Sequence, residues 1–250
     1  MSISALVRGM AGRLGYRIDK VRYQRYGIDP IVDIQRLSEN FAIPIRRAFD
    51  VGANVGQTAA AFRTAFPEAE ILCFEPVQTT WRQLEETIDR LPRVRAFNLA
   101  LSDSSGEAVM HTYESSLLSS LEPNALYTRD RTATTETCRT DTLDTFCAAQ
   151  GIDTIDLLKI DTEGHDLNVL RGAEGMLGDR RIGFVLTEFN HLDADDGETI
   201  GSLTAVAALL RKHGYSFICS YIDDIVRRER PFVVGNALFV RDGGGRASSP

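Results

Sequence analysis

Short apolar runs alternating with helical patterns from Arg47 to Val240 predict an α/β fold. The expected form is a doubly wound, Rossmann-like, mostly parallel sheet with helices on both faces. Two features carry this reading. The runs recur with amphipathic stretches between them that are long enough for crossovers. One run, Thr154–Ile160, is apolar almost throughout, as a central strand buried on both faces requires.

The elements follow in order. Ala48–Val51 reads as a strand and Thr58–Phe66 as the helix after it. Glu70–Glu75 is a second strand, Thr79–Leu91 a helix and Val94–Ala100 a third strand. LSDSSG is a turn, because Ser, Asp and Gly cluster there. Glu107–Tyr113 alternates like a strand, and the Ser/Thr-rich stretch Ser115–Thr140 reads as a long loop or lid. Asp141–Gln150 is a helix capped by Thr140 or Asp141. Thr154–Ile160 is the buried strand, followed by helical His165–Arg171 and strand Ile182–Phe189. Thr199–His213 is an amphipathic helix ended by Gly214. Tyr215–Tyr221 and Asn236–Val240 are the last strands. Residues 1–46 read as an N-terminal helical extension, 47–241 as the folded domain and 242–250 as a disordered tail.

Composition excludes several classes. The chain has 250 residues, 43% hydrophobic and 25% charged, an ordinary globular profile that argues against disorder and low complexity. A formal charge of −7 opposes general nucleic-acid binding. No window resembles a membrane span or a secretory signal. The cysteines Cys73, Cys138, Cys147 and Cys219 form no CxxC pair, and Cys73 and Cys219 read as buried thiols. A reduced, cytoplasmic protein is the expectation. Residues 1–30 are locally basic, with Ile3, Leu6, Val7, Met10, Leu14, Ile18 and Val21 at helical spacing. Such a helix packs on the domain or on a partner subunit, as in a homodimer, or lies on an anionic membrane surface.

Ligands of such sheets bind at the strands' carboxyl ends, where strand order reverses. After the first strand comes Asp50-Val-Gly52-Ala53-Asn54-Val-Gly56, with Thr58 opening the helix. Gly52 permits a tight turn and Gly56 lets a ligand approach the backbone. The spacing is not GxGxxG, and the carboxylate of Asp50 is poor company for a diphosphate. It suits an ammonium-bearing ligand, such as the methionine part of S-adenosylmethionine. Glu75, followed by Pro76, ends the second strand, where an acid accepts hydrogen bonds from a ribose diol. The third strand ends at Asn98, Leu99 and Ala100, with Asn98 placed for an adenine edge and Leu99 for its face. The fourth end carries Asp161, Glu163, His165 and Asp166, with Glu188, Asn190 and His191 following the next strand. Titratable groups so gathered are costly unless they act. Asp161 and His165 are the leading candidates for a base that takes a hydroxyl proton during methyl transfer. Glu163 orients an acceptor or caps the next helix. Asp161, Glu163 and Glu188 also offer hard oxygen ligands for magnesium.

The segments FDVGANVGQT, ILCFEP, NLALSDSSG, LDTF, IDLLKIDTEGHDLNVLRGA, FVLTEFN and NALFV resemble the FkbM family of S-adenosylmethionine-dependent methyltransferases. The resemblance implies a class I methyltransferase fold, with a seven-stranded sheet whose final strand is antiparallel. It implies O-methylation, often of sugar or polyketide hydroxyls on a small-molecule or glycan acceptor, with Asp50, Gly52, Asn54 and Gly56 at the methionine part, Glu75 at the ribose, and Asp161 and Glu163 at the methyl-transfer face. Many members of that family carry a small residue followed by Glu where this chain has His165-Asp166. A nicotinamide oxidoreductase and a catalytically inactive methyltransferase-like binding subunit are the competing readings.

Overall fold

A computed structural model describes residues 25–113, 119–121, 134–190, 201–226 and 232–243. In chain order its strands are β1 (Arg47–Val51), β2 (Glu70–Phe74), β3 (Val94–Phe97), β4 (Ala100–Leu101), β5 (Gly106–Thr112), β6 (Thr134–Asp141), β7 (Ile155–Ile160), β8 (Ile182–Phe189), β9 (Tyr215–Val226) and β10 (Phe232–Arg241). Its helices are α1 (Pro30–Asn40), α2 (Gln57–Ala65), α3 (Gln78–Ile88), α4 (Leu143–Gln150), α5 (Asp166–Arg171), α6 (Glu174–Gly178) and α7 (Leu203–Lys212).

Seven strands form one sheet in the order β3-β2-β1-β7-β8-β10-β9. β1, β2, β3, β7 and β8 pair in parallel, and β10 runs antiparallel to β8 and β9. This is the sheet expected from the sequence. Strands buried on both faces need apolar residues at every position, and β8 is buried along its whole length. One face packs Phe49, Phe74 and Phe146 together, the last two with ring centroids 4.8 Å apart. The other face packs Phe62, Leu84 and Phe184 with Ile34 and Leu37 of α1. α1 begins at Pro30 behind Asp29, whose carboxylate accepts from the Ile31 and Val32 N–H groups. The segment before Arg47 therefore contributes to the core from α1 onward. Residues 1–24, which carry the basic amphipathic pattern, lie outside the described residues, as do 244–250 of the expected tail.

Four differences from the sequence reading bear on the site. The third apolar run splits, so that β4 leaves the main sheet and joins a second one, β4-β6-β5. The expected loop Ser115–Thr140 ends in a strand: Thr134–Asp141 pairs antiparallel with β5, and its Thr/Cys content suits a pleated, half-exposed ribbon. Residues 114–118 and 122–133 lie outside the described residues. Thr142, not Thr140 or Asp141, caps α4, its hydroxyl accepting from the Thr145 N–H. Cys219 is half-buried rather than buried, and its thiol meets the Tyr221 hydroxyl at 3.3 Å.

Strand periodicity then sets up the edge. Leu157 packs on the α1 face and Leu158 and Ile160 on the other, so Lys159 faces the α1 side. Asp50 is its register partner on β1. Glu188 shares that face with Leu186 and pairs with Asn236 on β10. A polar band therefore crosses the carboxyl ends of β1, β7 and β8 and the amino-terminal half of β10. Among the described residues no helix is long and apolar enough to cross a membrane.

Candidate active site

The chain runs outward from β1 to β2 and β3, then returns with β7 on the other side of β1. At that reversal a cavity of about 320 Å³ opens between the strand ends. Small-molecule sites occupy roughly 300–1,000 Å³. Its walls include the predicted Gly52, Ala53, Asn54, Thr58, Glu75, Pro76, Leu99, Ala100, Asp161, Glu163 and His165. It also uses Lys159, which the strand run offered as a partner for an acid, and residues the sequence did not single out: Gln57, Leu101, Met110, Ser119, Ser120, Leu121 and Thr162. Met110 belongs to β5, so the second sheet walls the cavity. Ser120 bridges to His111, and its hydroxyl donates to the Glu163 carbonyl at 3.0 Å. These contacts join segments far apart in sequence. The signals for them were the alternation in Glu107–Tyr113 and the Ser/Thr-rich stretch after it.

Gly52 has φ +79°, and a Cβ there would lie 1.8 Å from the Asp161 carbonyl oxygen. Its lack of a side chain lets the β1 loop pass against the β7 end. Gly56 does not approach the cavity. A Cβ on it would meet Leu84 and Thr87, so it seats α2 against α3 instead. Glu75 is nearly buried. Its Oε2 accepts from the Asn54 N–H at 3.0 Å and its Oε1 from the Val77 N–H at 2.9 Å. Burial lifts its pKa to about 7, against the downward pull of those two donors. Each oxygen keeps a lone pair for another donor. Asn98 is not at the cavity wall. Its amide donates to the carbonyls of Glu75 and Pro76 at 3.0 and 2.8 Å, so it braces the β2 end rather than reading an adenine edge.

Asp50 also departs from its expected place. It is fully buried and absent from the cavity wall. The Lys159 ammonium lies 3.2 Å from Asp50 Oδ1 and 3.2 Å from Asp161 Oδ2. Burial raises the Asp50 pKa, and Lys159 partly offsets that. Burial alone would lower the Lys159 pKa, but Asp161 and Asp50 outweigh it and the net shift is upward. Asp50 thus acts through Lys159, which in turn holds the half-buried Asp161 at the wall.

Around Asp161 the acids crowd. Glu163 has φ +52°, an uncommon conformation for a residue with a side chain. Burial, then Asp161 and Asp166, raise its pKa to about 8. Asp166 is fully buried but accepts from the Thr162 N–H and hydroxyl, the Thr187 hydroxyl and the Glu188 N–H. It braces the turn into α5. Glu188 lies off the cavity wall, beside Asp161. Burial, then Asp161, Glu163 and Asp166, push its pKa well above the carboxylate range. Ligand oxygens of Asp161, Glu163 and Glu188 lie within 4.8 Å of one another. His165 is buried, with Nε2 2.9 Å from the Ser102 hydroxyl and Nδ1 3.2 Å from the Asn168 amide nitrogen. A neutral ring accepting at Nδ1 and donating at Nε2 satisfies both contacts, so both nitrogens are engaged. His165 shapes the wall and starts α5. His191 lies outside the described residues.

The chain is similar to known proteins. The methyltransferase FkbM domain matches residues 50–217. The 31-O-demethyl-FK506 methyltransferase FkbM of Streptomyces tacrolimicus is 30% identical over 197 residues, covering 68% of this chain and 72% of that protein. The 2-O-methyltransferase NoeI of Sinorhizobium fredii is 29% identical over 163 residues, covering 60% of this chain. The AMB antimetabolite synthetase AmbE of Pseudomonas aeruginosa is 28% identical over 199 residues, 66% of this chain. The chain spans 65% of the length of NoeI and 9% of that of AmbE.

Proposed function

The chain belongs to the FkbM methyltransferase domain family, and from that premise we propose that it is an S-adenosylmethionine-dependent O-methyltransferase. Its acceptor is a hydroxyl of a sugar, glycan, glycolipid or polyketide-type natural product. The names of NoeI and FkbM, a 2-O-methyltransferase and a 31-O-demethyl-FK506 methyltransferase, support oxygen as the acceptor atom.

One observation carries the reading. The carboxyl groups of Glu75, Asp161 and Glu163 reach the cavity wall, and among the described residues its one ammonium, Lys159, is held between two aspartates. Such a wall suits a cationic nucleoside without phosphates. A nicotinamide dinucleotide would bring its diphosphate against carboxylates, with no GxGxxG loop to receive it. The cavity residues fit the nucleoside. Glu75 has lone pairs for a ribose diol, and Leu99, Leu101 and Met110 give apolar flanks for a base. Gly52 keeps the turn beside Asp161 free of a side chain.

The bound cofactor supplies an electrophilic methyl group on a sulfonium. The protein's part is to hold the acceptor oxygen in line behind that methyl. Asp161 takes the hydroxyl proton as the oxygen attacks. Lys159 fixes the orientation of the Asp161 carboxylate, and Asp50 fixes Lys159. The test has two arms. S-Adenosylhomocysteine should raise the melting temperature and NADH should not. Cofactor labelled in its methyl group, incubated with extracts of the source cell, should yield a labelled, base-stable product heavier by one methylene. Stabilisation by NADH alone would overturn the proposal.

A further inference from the structure

We propose that Asp161, Glu163 and Glu188 form a divalent-cation site that binds the acceptor's reacting hydroxyl. The inference rests on the methyl-transfer reading above and specifies how the acceptor is held.

Clustered carboxylates do not by themselves call for an ion. Glu188 supplies the further observation. It is 9% exposed, and its Oε2 is buried with no hydrogen-bond partner. That oxygen belongs to a side chain whose ligand atom lies within 4.8 Å of those of Asp161 and Glu163. An acceptor so enclosed is costly unless something positive or protic meets it. Asp166 shows the contrast: it is just as deeply placed, and the chain surrounds it with four donors. The Lys159 ammonium lies 3.2 Å from both Asp50 and Asp161 and leaves Glu188 Oε2 without a hydrogen bond. The protein has thus satisfied the acid that braces the turn and left an oxygen of Glu188 without a partner.

The spacing matches an ion. With metal–oxygen bonds of about 2.1 Å for magnesium and 2.3–2.6 Å for calcium, oxygens around a six-coordinate ion lie roughly 3–5 Å apart. Three carboxylates and no sulfur or imidazole select a hard cation such as magnesium, manganese or calcium. Three protein ligands leave positions for water and for acceptor oxygens, so neighbouring hydroxyls of a sugar-like acceptor can chelate. Coordination also eases loss of the hydroxyl proton. Asp161 can give one lone pair to the ion and keep others for that proton.

The experiment uses the full chain, stripped with EDTA and titrated with Mn²⁺ while free Mn²⁺ is followed by electron paramagnetic resonance. S-Adenosylhomocysteine affinity is measured on the same samples by calorimetry. The expected result is one Mn²⁺ per chain, displaced by Mg²⁺. Glu188→Gln should weaken Mn²⁺ at least tenfold while leaving S-adenosylhomocysteine affinity within twofold, which also shows that the variant folds. Glu163→Gln, at a less buried position, should weaken Mn²⁺ likewise. Normal S-adenosylhomocysteine binding with no Mn²⁺ bound, or with Mn²⁺ affinity equal in wild type and both variants, overturns the ion site alone. Loss of both ligands in the wild type overturns the methyl-transfer reading and the ion site with it.

Discussion

Glu75 and Glu188 are both buried acids near the carboxyl ends of strands in one sheet, yet their surroundings differ. Glu75 accepts a backbone N–H on each oxygen, and Asn98 locks the carbonyls beside it. Glu188 keeps Oε2 without a partner, and so do Oδ1 of Asn190 and of Asn236 nearby. The β2 end is therefore finished by the protein alone, while the β8–β10 half keeps surplus acceptors, and on β1 the Asp50 carboxylate relies on the Lys159 charge 3.2 Å from Oδ1. A preorganised half suits a ligand that never changes, and an open one suits a ligand that supplies its own donors. Lys159 and its two aspartates join the halves.

The comparison can be broken at the junction first. Asp161→Asn should cut the methyl-transfer rate by about 10²–10⁴-fold, the usual worth of a positioned base, while S-adenosylhomocysteine affinity changes little. Single-turnover kinetics and calorimetry read the two sides separately, and near-normal turnover would remove Asp161 from the chemistry. Next in size, Lys159→Met leaves Asp50 as a buried, unpaired charge and should cost about 3–5 kcal/mol in urea unfolding. Adding Asp50→Asn should recover much of that loss; no recovery would mean the pair is not the source. On the finished half, Glu75→Ala should weaken S-adenosylhomocysteine by about 10- to 100-fold, the worth of one or two charge-assisted hydrogen bonds.

The smallest effect is one of pH. Glu75 has a pKa raised to about 7 and must be ionised to accept from two hydroxyls. Below pH 7 binding releases a proton, so affinity should rise up to about tenfold per pH unit and level off above pH 7. The same group has a stability sign. Its folded pKa lies above its unfolded one, so its contribution disfavours the ligand-free fold progressively from about pH 4.5 to 7. An affinity flat from pH 5 to 8 would show that Glu75 does not accept from the ligand.

Much of this edge was legible from the chain. Strand ends announce themselves as polar residues closing apolar runs, which brought out Gly52, Glu75 and Asp161. The errors share a cause. Asp50, Gly56 and Asn98 sit in the right loops, but which way each side chain points depends on neighbours from other strands. Asp50 faces Lys159 because β1 and β7 are adjacent in register, and Gly56 faces Leu84 and Thr87 because α3 packs there. His165 reads as a free imidazole until Ser102 and Asn168 are seen to take both nitrogens.

Local patterning alone, through period-two and period-3.6 burial and the cost of polar groups at strand ends, determined that this is a doubly wound sheet with its chemistry at one edge. Only tertiary structure decided how charges are shared along that edge. Hydrogen bonding and desolvation depend on distances of a few ångströms between residues more than a hundred positions apart, as for Asp50 and Lys159, and no spacing within the chain encodes those distances.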